Sequence, residues 1–122
     1  MTTKETGQKG EILAEAFLKK KGYRIVERNF KCKFGEIDLI AYKKKVLSFV
    51  EVKTRLSSDF GEPFDASNKA KQKKLSRLAD YYIYKKKIPS SVPCQFDVVA
   101  ILLDKDNPEI QFIPNAFISL KK

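Results

Sequence analysis

The chain has 122 residues, 43% hydrophobic and 33% charged, enough for one domain around one core, and no apolar run approaches the ~20 residues of a membrane span. Its 25 Lys and Arg against 15 Asp and Glu leave a net charge of +10, which favours polyanionic partners. There is no histidine, which excludes His-based general bases, Ser-His-Asp triads and histidine-rich zinc sites, and leaves chemistry to carboxylates, lysines, hydroxyls and a hard metal ion.

The spacing of Ile12, Leu13, Ala16, Phe17 and the stem of Lys20 predicts a helix over residues 6–21. Gly22 is placed to stop it, and Lys19 to Lys21 lie in the last turn, where the helix dipole favours cations. Three strands follow, over 23–28, 36–42 and 46–53. Lys43-Lys44-Lys45 is a tight polar connection that joins the last two as an antiparallel hairpin. Residues 54–65, with Gly61 and Pro63, read as a loop. A second helix is expected over 66–87, its apolar face formed by Leu75, Leu78, Ala79, Tyr82 and Ile83, with Pro89 and Pro93 marking its end. A strand over 95–103, a turn over 104–108 and a strand over 109–113 complete the chain. The order α-β-β-β-α-β-β predicts an α/β or α+β fold, one mixed central sheet flanked by helices, forming a single domain over residues 1–122. Cys32 and Cys94 have no metal-ligand spacing and are too few for a disulfide framework. With no signal-peptide core at the N-terminus, they predict reduced thiols in a cytoplasmic protein with no membrane partner.

Acids interrupt the oiliest strands. Glu36 and Asp38 precede Leu39-Ile40-Ala41, and Glu51 follows Leu47-Ser48-Phe49-Val50. Strands are depleted in carboxylates, and burying one is costly unless it is paired or bound to a metal. Side chains two apart on a strand share a face, so Glu51 and Lys53 point together, as do Glu36 and Asp38. Thirteen residues separate Asp38 from Glu51, which fits a hairpin that brings them together near its end. Two such acids repel unless a divalent cation bridges them, and Mg2+ suits oxygen ligands of this kind. Lys53 then remains to hold a phosphate oxygen or to stabilise developing charge. Taken alone, the D…ExK pattern is short and common, and a solvated strand face paired with nearby lysines also satisfies it.

The second helix carries its own signal. Lys69, Lys71, Lys73, Lys74, Arg77, Lys85, Lys86 and Lys87 stand against one acid, Asp80. Solvated helix faces mix both signs, so a nearly pure positive face points to phosphates. Lys69, Lys71, Lys73, Lys74 and Arg77 are the candidate nucleic-acid-binding residues. Tyr81, Tyr82 and Tyr84 offer either stacking surface or core packing, the latter above all for Tyr82.

An ordered set of motifs resembles the bacterial YraN-like family. They are GxxGE over Gly7 to Glu11, the Gly22-Tyr23 step, Arg28-Asn29, GEIDLIA from Gly35, FVEVKTR from Phe49, FGEPFDA from Phe60, the helix with Lys71, and FDVVAI from Phe96. The resemblance runs from about Gly7 to Phe117. It implies a restriction-endonuclease-like fold and a PD-(D/E)xK active site similar to that of archaeal Holliday-junction resolvases. It also implies that Glu11 is a third acid at the metal site, that Asp38 and Glu51 are central metal ligands, and that Lys53 is the catalytic lysine, with Glu36 supportive. One position departs: the family commonly has a basic residue before FD, and this chain has Gln95.

The expected function is a nuclease dependent on Mg2+ or Mn2+, acting as an endonuclease on structured or branched DNA. The cation would be held by Asp38, Glu51, the carbonyl of Val52 and Glu11. Action on two strands would favour a homodimer. The competing expectation is a non-catalytic nucleic-acid-binding protein on the same fold, which the basic helix serves equally well but the clustered carboxylates do not.

Overall fold

Thr2 opens the first helix, Thr3–Lys20 (α1). Its hydroxyl accepts the Glu5 N–H at 3.1 Å, and the Glu5 carboxylate accepts the Thr2 N–H at 2.8 Å. This reciprocal cap satisfies two otherwise orphaned donors and starts the helix earlier than Gly7 and Gly10 suggested. Gly22, at φ +96, ends it as expected. The buried stripe differs from the one the sequence favoured. It is Gly10, Ala14 and Leu18, with Leu13 and Phe17 half-buried, whereas Ala16 is exposed and Ile12 is 70% exposed. The small residues win because the helix approaches the sheet closely at Gly10: a Cβ there would lie 2.8 Å from Thr54 Cβ and 2.9 Å from its Cγ2.

A computed structural model of the chain describes residues 2–56, 69–103 and 107–117. The FGEPFDA motif, most of the expected loop over 54–65, the first residues of the expected second helix and residues 104–106 of the turn over 104–108 lie outside these. The strands are Arg24–Cys32 (β1), Gly35–Lys43 (β2), Val46–Leu56 (β3), Cys94–Leu103 (β4) and Glu109–Phe117 (β5), and the helix Lys69–Lys85 (α2) lies between β3 and β4 in sequence. They form one five-stranded mixed sheet in the order β1-β2-β3-β4-β5. Among the described strands, only β3 and β4 pair in parallel. The order α-β-β-β-α-β-β is the expected one, and it is consistent with a restriction-endonuclease-like fold. Several strands outrun their apolar cores; β1 continues through exposed Arg28, Asn29 and Lys31, whose polar side chains hide the strand pattern. The β2–β3 connection is a two-residue loop, Lys44 at φ 51 and Lys45 at φ 69, the pair of positive φ values that a twisted hairpin requires.

Each helix covers its own side of the sheet. Ala14 and Leu18 of α1 pack on Leu39, Val50, Val99 and Ile101. Leu78, Ala79 and Tyr82 of α2 pack on Phe30, Ile37, Ile40, Phe49 and Phe96. Tyr82 is therefore core, 2% exposed, with its ring 5.0 Å from Phe30. Among the described residues, no helix is long and apolar enough to cross a membrane.

Candidate functional site

Asp38 sits where β2 leaves β3. The antiparallel ladder runs from Lys43–Val46 to Leu39–Val50, and one further step would set Asp38 opposite Glu51. Instead the Asp38 carboxylate accepts the N–H of Val52 through Oδ2 at 2.8 Å. A side chain has taken the place of a strand carbonyl, which splits the strands and opens space beside them. Strand alternation breaks at the same point: Ile37 packs toward α2 and Leu39 toward α1. Opposite, between the Arg28–Leu39 and Phe30–Ile37 pairs, Asn29 holds a positive φ of 49.

Asn29 accounts for the meeting of acids from two elements. Its amide donates to Glu11 Oε1 of α1 at 3.1 Å and to Glu36 Oε2 of β2 at 2.7 Å. Carboxylate oxygens of Glu11, Glu36 and Asp38 lie within 4.8 Å of one another. The close seat of Gly10 on Thr54 sets the height of α1 and so delivers Glu11, the next residue, to this group. Alongside, Glu15 of α1 receives a two-pronged contact from Arg28, Nε to Oε1 at 2.6 Å and Nη2 to Oε2 at 2.5 Å, which ties α1 to β1. The Arg28 contact holds the Glu15 carboxyl down at about 2.

The acids act on one another. Burial first, and then the neighbouring charges of Glu11, Glu51 and Glu36, push Asp38 up to about 7, against the opposing Val52 hydrogen bond. Glu51, its side chain 12% exposed, is ion-paired with Lys71 of α2. Lys53 is half-buried, and burial followed by the Lys71 charge lowers its pKa. Glu36, Asp38, Glu51 and Lys71 line one cleft of about 220 Å³, with Lys74, Val50, Leu75 and Leu78.

The structure thus brings Glu11, Glu36 and Asp38 together, with Glu51 at the same cleft but engaged by a lysine. Glu36, expected only to support, stands in the carboxylate group itself. For Val52 the group in use is the N–H. Among the expected nucleic-acid-binding residues, Lys71 lies in the acidic cleft, Lys73 and Arg77 line a second groove with Lys74, and Lys69 is exposed at the start of α2. Gln95 donates to Asp97 Oδ1 at 2.9 Å, so an amide serves the buried acid where a basic residue is usual. Sequence reasoning assigned no role to Asn29, although the Arg28-Asn29 pair belongs to the resemblance.

The chain is 44% identical over 115 residues to a UPF0102 protein of Alkaliphilus metalliredigens, covering 94% of this chain and 99% of that one. A UPF0102 protein of Caldicellulosiruptor saccharolyticus is 44% identical over 119 residues, covering 96% and 100%. Among solved structures, Pyrococcus furiosus SfsA in complex with Ca2+ matches with a TM-score of 0.41 at 16% identity, covering 92% of this chain and 63% of that one. Residues 10–101 match the family model described as Uncharacterised protein family UPF0102. The chain belongs to the UPF0102 family, the YraN-like group that its motifs resemble.

Proposed function

We propose that this protein is a metal-dependent nuclease that hydrolyses phosphodiester bonds in structured or branched DNA. The observation that carries the reading is the convergence of Glu11, Glu36 and Asp38 within 4.8 Å, where Glu36 and Asp38 also line a cleft with Glu51 and Lys71. A protein that only bound a polyanion would gain nothing from clustered carboxylates facing it.

The donor set fits a hard divalent cation. All its atoms are carboxylate oxygens, and Asp38, raised first by burial and then by the neighbouring acids, carries a cost of ionisation that a cation would relieve. Asp38, Glu11, Glu36 and, once parted from Lys71, Glu51 would hold Mg2+ or Mn2+, with the Val52 carbonyl as a backbone ligand. A bound ion would supply Lewis acidity and make water a better nucleophile at neutral pH. Lys53, two residues along β3 from Glu51, points to the same face and donates to the non-bridging phosphate oxygens as negative charge develops. The Val52 N–H fixes which Asp38 oxygen faces the site. Lys69, Lys73, Lys74 and Arg77 grip flanking phosphates, and Asn29 keeps Glu11 and Glu36 in place.

A cleavage assay on branched, flapped, single-stranded and duplex DNA and RNA, with Mg2+, Mn2+ or chelator, tests the reading. Metal-dependent cutting of a branched or flapped DNA is expected, abolished in both Lys53→Ala and Asp38→Asn. Cutting that survives equally in both variants would come from a contaminant. No cutting by any of the three, with binding intact, would make this a nucleic-acid-binding module.

A further inference from the structure

Beside the acidic cleft lies a second groove of about 230 Å³, lined by Phe34, Ala70, Lys73, Lys74 and Arg77. Lys74 lines both, so the two adjoin at that side chain. Among the described residues, no acid contributes to the lining of the second groove. Phe34 is oddly placed. Cys32 pairs with Gly35, which makes Lys33-Phe34 a two-residue hairpin tip, a position where Asn-Gly or Asp-Gly is the usual choice. The Phe34 N–H donates to Cys32 Sγ at 3.4 Å, and Gly35 at φ 135 completes the turn.

The ring is held and surrounded by cations. Tyr81 meets it edge-on at 5.7 Å and accounts for its packed side. The Lys33 ammonium lies 5.4 Å from the ring centre and the Arg77 guanidinium 5.9 Å. Gly35 keeps Lys74 close: a Cβ there would come within 2.8 Å of Lys74 Cε. The ring remains half-buried, its accessible part facing the groove. A rigid aromatic surface among four cations matches one ligand chemistry, a phosphate backbone with an unstacked base. A continuous duplex presents phosphates to such a groove but no free base face.

We infer that the groove between the β1–β2 hairpin tip and the first turns of α2 binds a single-stranded segment of nucleic acid, with a base stacked on Phe34 and its phosphates on Lys73, Lys74 and Arg77. This rests on the reading above that the α2 face meets nucleic acid, and it narrows the substrate to one with an unpaired stretch next to the phosphate being cut. It is independent of cleavage.

Binding measured in chelator tests it, with an oligo-dT strand of about a dozen nucleotides and the same strand annealed to its complement. Phe34→Leu keeps an apolar side chain against Tyr81 and removes the π face. It should weaken single-strand binding about tenfold and leave duplex binding unchanged. Phe34→Tyr should bind as wild type. Lys73→Gln with Arg77→Gln should reduce the salt dependence for both ligands. A 2-aminopurine placed in the strand should be quenched on binding by wild type and not by Phe34→Leu. Equal single-strand affinity in wild type and Phe34→Leu, or equal losses for both ligands, would overturn the inference while leaving nucleic-acid binding standing. Wild type that binds neither ligand would remove the parent reading and this inference together.

Discussion

Lys71 of α2 is ion-paired with Glu51 of β3 inside the cleft that Glu36 and Asp38 line. An ammonium therefore neutralises the one acid of the four that stands apart from the carboxylate group. Any divalent cation that recruits Glu51 must displace it. Lys71→Met should raise Mn2+ affinity about threefold by calorimetry, since a half-exposed pair is worth under about 1 kcal/mol. Lys71→Arg should leave affinity near wild type. Weaker Mn2+ binding in the methionine variant would show that Lys71 assists the cation.

Asp38 makes stability in chelator depend on pH. Its carboxyl titrates at about 7 when folded against 3.8 ordinarily. Between those values the folded protein keeps a proton that the unfolded chain has released, so stability falls as pH rises through this window and levels off above it. Glu15 works the other way, but only between 4.5 and about 2. Thermal melts in chelator should therefore show a Tm lower at pH 8 than at pH 5, on the order of 5 °C. Asp38→Asn should flatten the difference, and so should saturating Mg2+. An unchanged slope in Asp38→Asn would assign it to another group.

Two glycines three residues apart on α1 should respond with opposite signs. Gly7 has nothing within 4 Å of an added Cβ, so Gly7→Ala should gain helix propensity, about 0.8 kcal/mol. Gly10 is seated on Thr54, so Gly10→Ala must lift the helix and should cost about 1–3 kcal/mol. It should also weaken Mn2+ binding, because Glu11 rides on the same turn. Denaturant melts of the two variants check the first claim and calorimetry the second.

Asn29 tolerates its positive φ and supplies an amide to two acids. Asn29→Gly retains the backbone and loses only the amide. Partners that orient metal ligands are worth about 10–100-fold in affinity, so Mn2+ binding should fall about tenfold with the fold unchanged. Unaltered affinity would show that Glu11 and Glu36 are held by other means.

The β2–β3 hairpin was legible because its apolar residues and its lysine tip are local features, and a separation of thirteen positions from Asp38 to Glu51 fits two strands and a short turn. The carboxylate group was less so. Glu36 looked secondary because its place depends on Asn29, whose left-handed backbone no periodicity announces. The buried stripe of α1 was misjudged for a related reason: hydrophobicity favoured Ile12, while the fold selected Gly10 for close approach. The role of Lys71 was hidden too, since a run of lysines reads as one face, whereas the helix turns Lys71 to the acids and Lys73 to the second groove.

The parallel pairing of β3 with β4 has a kinetic consequence. Leu47 meets Cys94, so this ladder must close a long stretch of chain, whereas α1 and the β1–β2–β3 meander form from neighbours in sequence. Every acid described at the site lies in that early part, from Glu11 to Glu51. Contacts close in sequence form first, so mutual repulsion of the carboxylates burdens the nucleus of folding before β4 and α2, with Lys71, have docked. Refolding in chelator should accordingly quicken as pH is lowered and the carboxylates take up protons, and level off once closing β3 against β4 sets the rate.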